Sequence, residues 1–163
     1  FRLRNSAFHS VAIGFASAAV FLFGFITPFT VIGPAADGFP VISVGMTEPT
    51  SEVWSIALMI FVALSIAPMI TDLKDYEADK KHKAQSIYVV FGLETGKKVV
   101  SALIIVLFLM PLLLFSSVVD IALFAILGIV SFFGFYKYES HELVFICYFA
   151  VLIYCLTRYL GLL

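Results

Sequence analysis

Apolar positions run in blocks of about twenty residues along this chain, and polar ones are pushed into the gaps between them. Five blocks, 6–27, 52–71, 98–116, 119–136 and 142–161, are long enough as helices to cross a hydrocarbon layer about 30 Å thick. In the first, Ser10, Gly14 and Ala18 recur at four-residue spacing, with Gly24 beyond. Such a small-residue stripe lets a second helix approach closely. His9, near the start of that block, reads as a hydrogen-bonded interfacial histidine. Residues 28–51 hold Pro28, Gly33, Pro34, Gly38, Pro40, Gly45 and Pro49 and no Lys or Arg. That predicts a loop apolar enough to lie against a membrane surface.

The second block opens on a cap at Thr50 or Ser51, with Glu52 near the positive end of the helix and Trp54 at interfacial depth. Pro68 removes one helical hydrogen bond shortly before the block ends. It either kinks the helix or is tolerated there, as prolines often are in membrane helices. Beyond residue 83 a short apolar run, 84–91, leads through Gly92 and Gly96 to the third block. Thr95 is placed to cap that block, and Pro111 interrupts it near its middle. The polar link Tyr136–Glu142 between the last two blocks has no spacing that suggests a site.

Composition turns this pattern into a class. Of 163 residues 62% are hydrophobic and only 13% charged, against about 25% charged in ordinary soluble domains, and the mean hydropathy is +1.08. The expectation is an all-α transmembrane helical bundle, one domain over 1–163, multi-pass and integral to the membrane. Cys147 and Cys155 stand eight residues apart in one apolar block, too distant along a helix to pair, and read as small core residues. The opening Phe1-Arg2-Leu3-Arg4 has neither an initiator Met nor a cleavable leader. A chain that begins partway through something larger is therefore expected. Nothing points to nucleic acid. Across five spans Arg2, Arg4, Lys74, Lys80, Lys81, Lys83, Lys97, Lys98 and Lys137 fall on one side and Arg158 alone on the other. By the positive-inside bias the first side is cytoplasmic.

That side also carries the chain's densest chemistry, Thr71-Asp72-Leu73-Lys74-Asp75-Tyr76-Glu77-Ala78-Asp79-Lys80-Lys81-His82-Lys83. At 100° per residue Asp72, Asp75 and Asp79 fall within an arc of roughly 60°, with Lys83 on almost the same face and Lys74 and Glu77 elsewhere. Carboxylates one turn apart repel by a few tenths of a kcal/mol per pair unless a cation lies between them. Mg²⁺, which takes one or two carboxylates plus phosphate oxygens, is the natural guest. A solvated helix end that merely stops a membrane segment is the plainer alternative.

The stretch Asp72-Leu73-Lys74-Asp75-Tyr76-Glu77-Ala78-Asp79-Lys80, followed by Ser86-Ile87-Tyr88-Val89-Val90-Phe91-Gly92, resembles the second Asp-rich motif of the UbiA superfamily of intramembrane prenyltransferases. Asp72, Asp75, Glu77, Asp79 and Lys80 match its D-x-x-D-x-E-G-D-[RK] pattern, and Ser86, Val89 and Gly92 fit the tail. Ala78 stands where Gly is usual, and Tyr88 where Pro is usual. The order of blocks also agrees, with these five as helices five to nine of a nine-helix fold.

The resemblance implies transfer of an isoprenyl group from a prenyl diphosphate to a hydrophobic or aromatic acceptor within the membrane. Asp72, Asp75 and Asp79 would be the catalytic and metal-side carboxylates for Mg²⁺. Lys83, Arg4, Lys74 and Tyr76 would be substrate-binding residues. It further implies that a first Asp-rich motif and about four helices lie outside this chain, so the missing N-terminal half of the fold would be a partner, alongside membrane lipid. Three competing readings are a phosphoribosyl-diphosphate-type polyprenyl transferase of the same superfamily, a non-catalytic membrane subunit, and a transporter. The last would call for ionisable groups near the middle of a span, where none is evident.

Overall fold

The computed structural model describes residues 7–26, 29–34, 40–45 and 49–162, with side chains at 9–24 and 49–162. Long helices dominate: α1 (Ala7–Ile26), α2 (Ser51–Thr71), α5 (Leu93–Leu109), α6 (Val118–Tyr138) and α7 (His141–Tyr159). Between α2 and α5 lie a 3₁₀ turn (Asp72–Asp75) and two short helices, α3 (Tyr76–Lys81) and α4 (Ile87–Phe91). Four helical segments are long and apolar enough to cross a membrane: Ser51–Lys81, Leu93–Leu113, Val118–Tyr138 and His141–Tyr159. The multi-pass helical class expected from the apolar blocks therefore stands. The fifth expected span, on α1, shows a described apolar stretch of only His9–Gly24, shorter than those four.

Within residues 28–51 two described segments depart from the expected loop. Phe29–Pro34 (β1) and Pro40–Gly45 (β2) pair antiparallel, with Phe29 opposite Gly45 and Pro34 opposite Pro40. Gly33, Pro34, Pro40 and Gly45, four of the residues that suggested irregular chain, stand at the strand ends. Between them Val31, Ile32, Val41, Ile42 and Val44 are β-branched residues that favour extended backbone.

Helix α1 lies antiparallel on α2 through the predicted stripe. Ser10, Gly14 and Ala18 are buried, and a Cβ on Gly14 would fall 2.1 Å from Ser65 Oγ and 2.4 Å from the Phe61 carbonyl. Only hydrogen fits at that crossing. Gly24 takes no part in the stripe: it is exposed, and a Cβ there would meet open space. Thr50 caps α2, with the Val53 N–H donating to its Oγ1 at 3.5 Å, and Pro68 is accommodated inside a helix that continues to Thr71.

The third block is displaced from its expected bounds. α5 begins at Leu93, so Thr95 is inside its first turn and does not cap it, and Gly96 is inside the helix as well. Gly96 and Thr95 suggested a later start, but a helix can extend a polar turn beyond the membrane. Pro111 lies in a 3₁₀ turn, Met110–Leu113, at the end of the helix instead of near its middle. The buried core gathers Ile70, Tyr88, Ile104, Phe108, Phe124 and Phe135 from α2, α4, α5 and α6, joined by Cys147 from α7. Cys147 and the half-buried Cys155 are free thiols, as read from the sequence.

Antiparallel contacts sort the charges by end. Lys97 on α5 pairs with Glu139 beyond α6, and Lys74 lies within electrostatic reach of Glu142 at the start of α7. The acidic stretch, Lys97, Glu139 and Glu142 thus share one end, and Asp120, Tyr154 and Arg158 share the other. Among the described residues Lys74, Lys80, Lys81, Lys83, Lys97, Lys98 and Lys137 lie towards the acidic end and Arg158 towards the opposite one. Arg2 and Arg4 fall outside the described residues.

Candidate functional site

Apolar sequence carries α2 for 21 residues, about 31 Å, which is enough to cross the hydrocarbon. The chain then turns charged within one residue and changes geometry. Asp72–Asp75 is a 3₁₀ turn, whose three residues per turn set Asp75 directly over Asp72. Tyr76–Lys81 resumes the α pitch and rotates Asp79 by about 40° from Asp75. The three aspartates share a side of the stretch, though not through the uniform α-helix that the periodicity assumed.

Asp72 and Asp79 are half-buried and Asp75 is exposed. No hydrogen bond or ion pair joins these three side chains to another described residue. Asp72, just past the apolar end of α2, is pushed up to about 6 by burial first and then by the charges of Asp79 and Asp75, while His9 on α1 pulls it back. His9 therefore faces the acidic turn, a neighbour that its isolated position in the sequence did not disclose. Among the described residues no three His, Cys, Asp or Glu side chains converge closely enough to form a metal cage. The donor set still suits Mg²⁺, which needs only one or two carboxylates when phosphate and water complete the octahedron.

The basic residues divide. Lys83 is not on the helix. α3 stops at Lys81, and Lys83 takes the left-handed conformation (φ 53°) of a helix C-terminal turn. Its N–H donates to the Lys80 carbonyl at 3.4 Å, and the N–H of Ala84 donates to the Asp79 carbonyl at 2.9 Å, the pair of bonds that defines a Schellman motif. Glycine usually fills that position, and the run Lys80-Lys81-His82-Lys83 contains none to announce the stop. Lys83 is exposed beside the turn, close to Asp79 in sequence but off its helical face. Lys74 is exposed and directed towards Glu142 by charge. Tyr76 is half-buried against the core, with the Lys80 ammonium 5.7 Å above its ring. Arg4 lies outside the described residues.

One residue beside the site was visible in the sequence only as a departure from a pattern. Tyr88 on α4 is completely buried, and its hydroxyl donates to the Met69 carbonyl at 2.7 Å, three residues before Asp72. Burial and the nearby charge of Asp72 push this phenol up, so it stays protonated and acts as a donor. Gly96 makes room for it, since a Cβ there would lie 2.7 Å from Tyr88 Cδ1 and 3.0 Å from its Cα.

Two cavities lie at the other end of the bundle. A cavity of about 320 Å³ bounded by Ser51, Glu52, Ile56, Leu113 and Tyr159, and one of about 250 Å³ at Ser117, Tyr154 and Arg158, are both at the end away from the aspartates. No family model, characterised protein or solved structure matches this chain.

Proposed function

We propose that this chain supplies a metal–diphosphate site for Mg²⁺-dependent transfer of an isoprenyl group, from a prenyl diphosphate to a hydrophobic or aromatic acceptor in the membrane. The observation that carries the reading is the acidic turn: three aspartates on one side, without protein partners among the described residues, at the end of an apolar helix. Bound Mg²⁺ would neutralise charge on the departing diphosphate. Asp72 and Asp75, stacked by the 3₁₀ turn, would hold the ion, with Asp79 on the same side. Lys83, at the adjoining turn, and Lys74 would contact phosphate oxygens. In the transfer the C1–O bond breaks, the diphosphate leaves with the electron pair, and the acceptor attacks C1 and gives up a proton. Apolar helix faces would take the isoprenoid tail, at about 0.8 kcal/mol per buried CH₂. The first Asp-rich motif, the remaining helices of a nine-helix fold and the cytoplasmic placement of the acidic end belong to the same proposal.

A second reading is a non-catalytic membrane subunit whose acidic turn docks a partner. The exposure of Asp75 and Glu77 favours it, as does the engagement of Lys80 with the Tyr76 ring. Binding of a prenyl diphosphate to detergent-solubilised protein, with and without Mg²⁺, separates the two. Binding that needs Mg²⁺ and collapses in Asp75→Asn supports prenyl transfer. Binding that ignores both, in a sample containing the whole fold, overturns it.

A further inference from the structure

The change from α to 3₁₀ geometry at Asp72 has a local cost in hydrogen bonding. An α-helix continuing past Thr71 would pair the Met69 carbonyl with the N–H of Leu73, four residues on. The Asp72 N–H still reaches back four residues, to Pro68, but the tighter turn that follows bonds each N–H to a carbonyl three residues back. The carbonyl passed over at such a junction is that of Met69. A buried carbonyl left without a donor is unfavourable. The Tyr88 hydroxyl, from a residue 19 positions further along, donates to that oxygen. Tyr88 has no freedom to do otherwise: it is wholly buried, and α5 presses against its ring at Gly96.

We infer that Tyr88 is a positioning residue whose hydroxyl selects the 3₁₀ form of Asp72–Asp75, and so sets Asp72 and Asp75 one above the other for a shared divalent cation. The stacking holds whatever the carboxylates bind; the consequence for a metal–diphosphate rests on the prenyl-transfer reading. Without the hydroxyl the stretch gains more from resuming α pitch, which returns the Leu73 N–H to Met69 and swings Asp75 about 60° from Asp72. Tyr88 acts through the backbone, not on substrate.

The test compares wild type, Tyr88→Phe and Gly96→Ala as full chains in detergent, by amide hydrogen exchange and by Mg²⁺ titration of prenyl diphosphate binding. Tyr88→Phe keeps the ring that packs the core; Gly96→Ala keeps the hydroxyl but displaces the ring. Exchange at Leu73–Tyr76 is expected to change about tenfold in both variants, while α6 and α7 keep wild-type exchange. The Mg²⁺ concentration for half-saturation is expected to rise about tenfold at an unchanged plateau. Exchange at Leu73–Tyr76 within twofold of wild type in Tyr88→Phe overturns the inference. A uniform rise across all helices also overturns it, since that reports a looser core. If wild type itself shows no Mg²⁺-dependent binding, the prenyl-transfer reading falls, and the exchange at Leu73–Tyr76 still decides for or against Tyr88.

Discussion

At the end of the bundle where α6 starts and α7 closes, Asp120 is wholly buried and completely engaged. It accepts from the Ser117 N–H at 2.9 Å and the Tyr154 hydroxyl at 2.5 Å, and pairs with Arg158 Nε at 3.5 Å. Its own N–H donates to Ser117 Oγ at 3.2 Å, closing a capping box. At the opposite end Asp72, Asp75 and Asp79 have no such partners among the described residues, and Asp75 and Asp79 disfavour the charge on Asp72. A buried carboxylate must be compensated, and at Asp120 the fold itself does so. At the acidic turn Asp75 is exposed and Asp72 and Asp79 are half-buried, and the described residues supply no such compensation. Carboxylates compensated by the fold and carboxylates left without protein partners are thus told apart by what surrounds them, not by residue type.

Substitutions at the two ends should therefore have opposite signatures. The largest effect is expected from Asp75→Asn: Mg²⁺-dependent prenyl diphosphate affinity falls by about a hundredfold or more, as expected when one charged partner is removed from a site. Its thermal midpoint should stay at or slightly above wild type, because a repulsion of a few tenths of a kcal/mol is relieved. Asp120→Asn should do the reverse. Loss of the charge removes the ion pair with Arg158 and weakens the bond to Tyr154, so the midpoint in detergent drops by roughly 5 °C or more, and prenyl diphosphate binding is unchanged. If Asp120→Asn abolished binding while leaving stability intact, the division of labour between the ends would be wrong.

The next effect tests whether α1 belongs to the acidic end. Gly14→Ala places a methyl against Ser65 and the Phe61 carbonyl, where the α1–α2 crossing has no room. A loss of about 1–3 kcal/mol is expected, measured by denaturant titration in micelles. His9 should move away from Asp72 as the helices part, and cross-linking of Cys substitutions at 9 and 72 should slow relative to the same pair with Gly14 intact. An unchanged cross-linking rate would show that α1 pivots elsewhere.

How far each end could be read in advance follows from the range of the interactions that build it. The helices were legible because twenty apolar residues in a row admit few alternatives in a bilayer. The stripe of Ser10, Gly14 and Ala18 was legible because its spacing repeats. The start of the third block failed where Thr95 was taken for a cap and Gly96 for punctuation: both are helical because α5 projects past its apolar part, where Lys97 meets Glu139. The two strands were hidden behind their own terminal Gly and Pro. At the acidic end the grouping of the aspartates was local and visible. The 3₁₀ turn was not, because Met69 and Tyr88 are 19 residues apart and nothing in either neighbourhood specifies the other. Likewise Ser117 and Asp120 carry a readable capping spacing, but Tyr154 and Arg158 come from another helix.

The smallest effect expected is at Lys83, where stability and binding should part company within one residue. A lysine at φ 53° occupies a conformation that costs about 1 kcal/mol for a residue with a Cβ and almost nothing for glycine. Lys83→Gly should accordingly raise the thermal midpoint by about 2–4 °C, the shift that such an energy gives in a chain of this size. The Schellman bonds from Lys83 and Ala84 are made by backbone and survive the change. The ammonium is lost, however, and if it meets phosphate oxygens the affinity for prenyl diphosphate should fall a few-fold, more at low salt than at high. Lys83→Asn provides the control, because asparagine tolerates the left-handed region but carries no charge. It should match Lys83→Gly in binding and lie between it and wild type in stability. A glycine variant that is more stable and binds as tightly as wild type would remove Lys83 from the site and leave it as a cap residue only. One that is more stable and binds less would mean that a charge is kept there against the preference of the backbone, beside three aspartates that have no partners among the described residues.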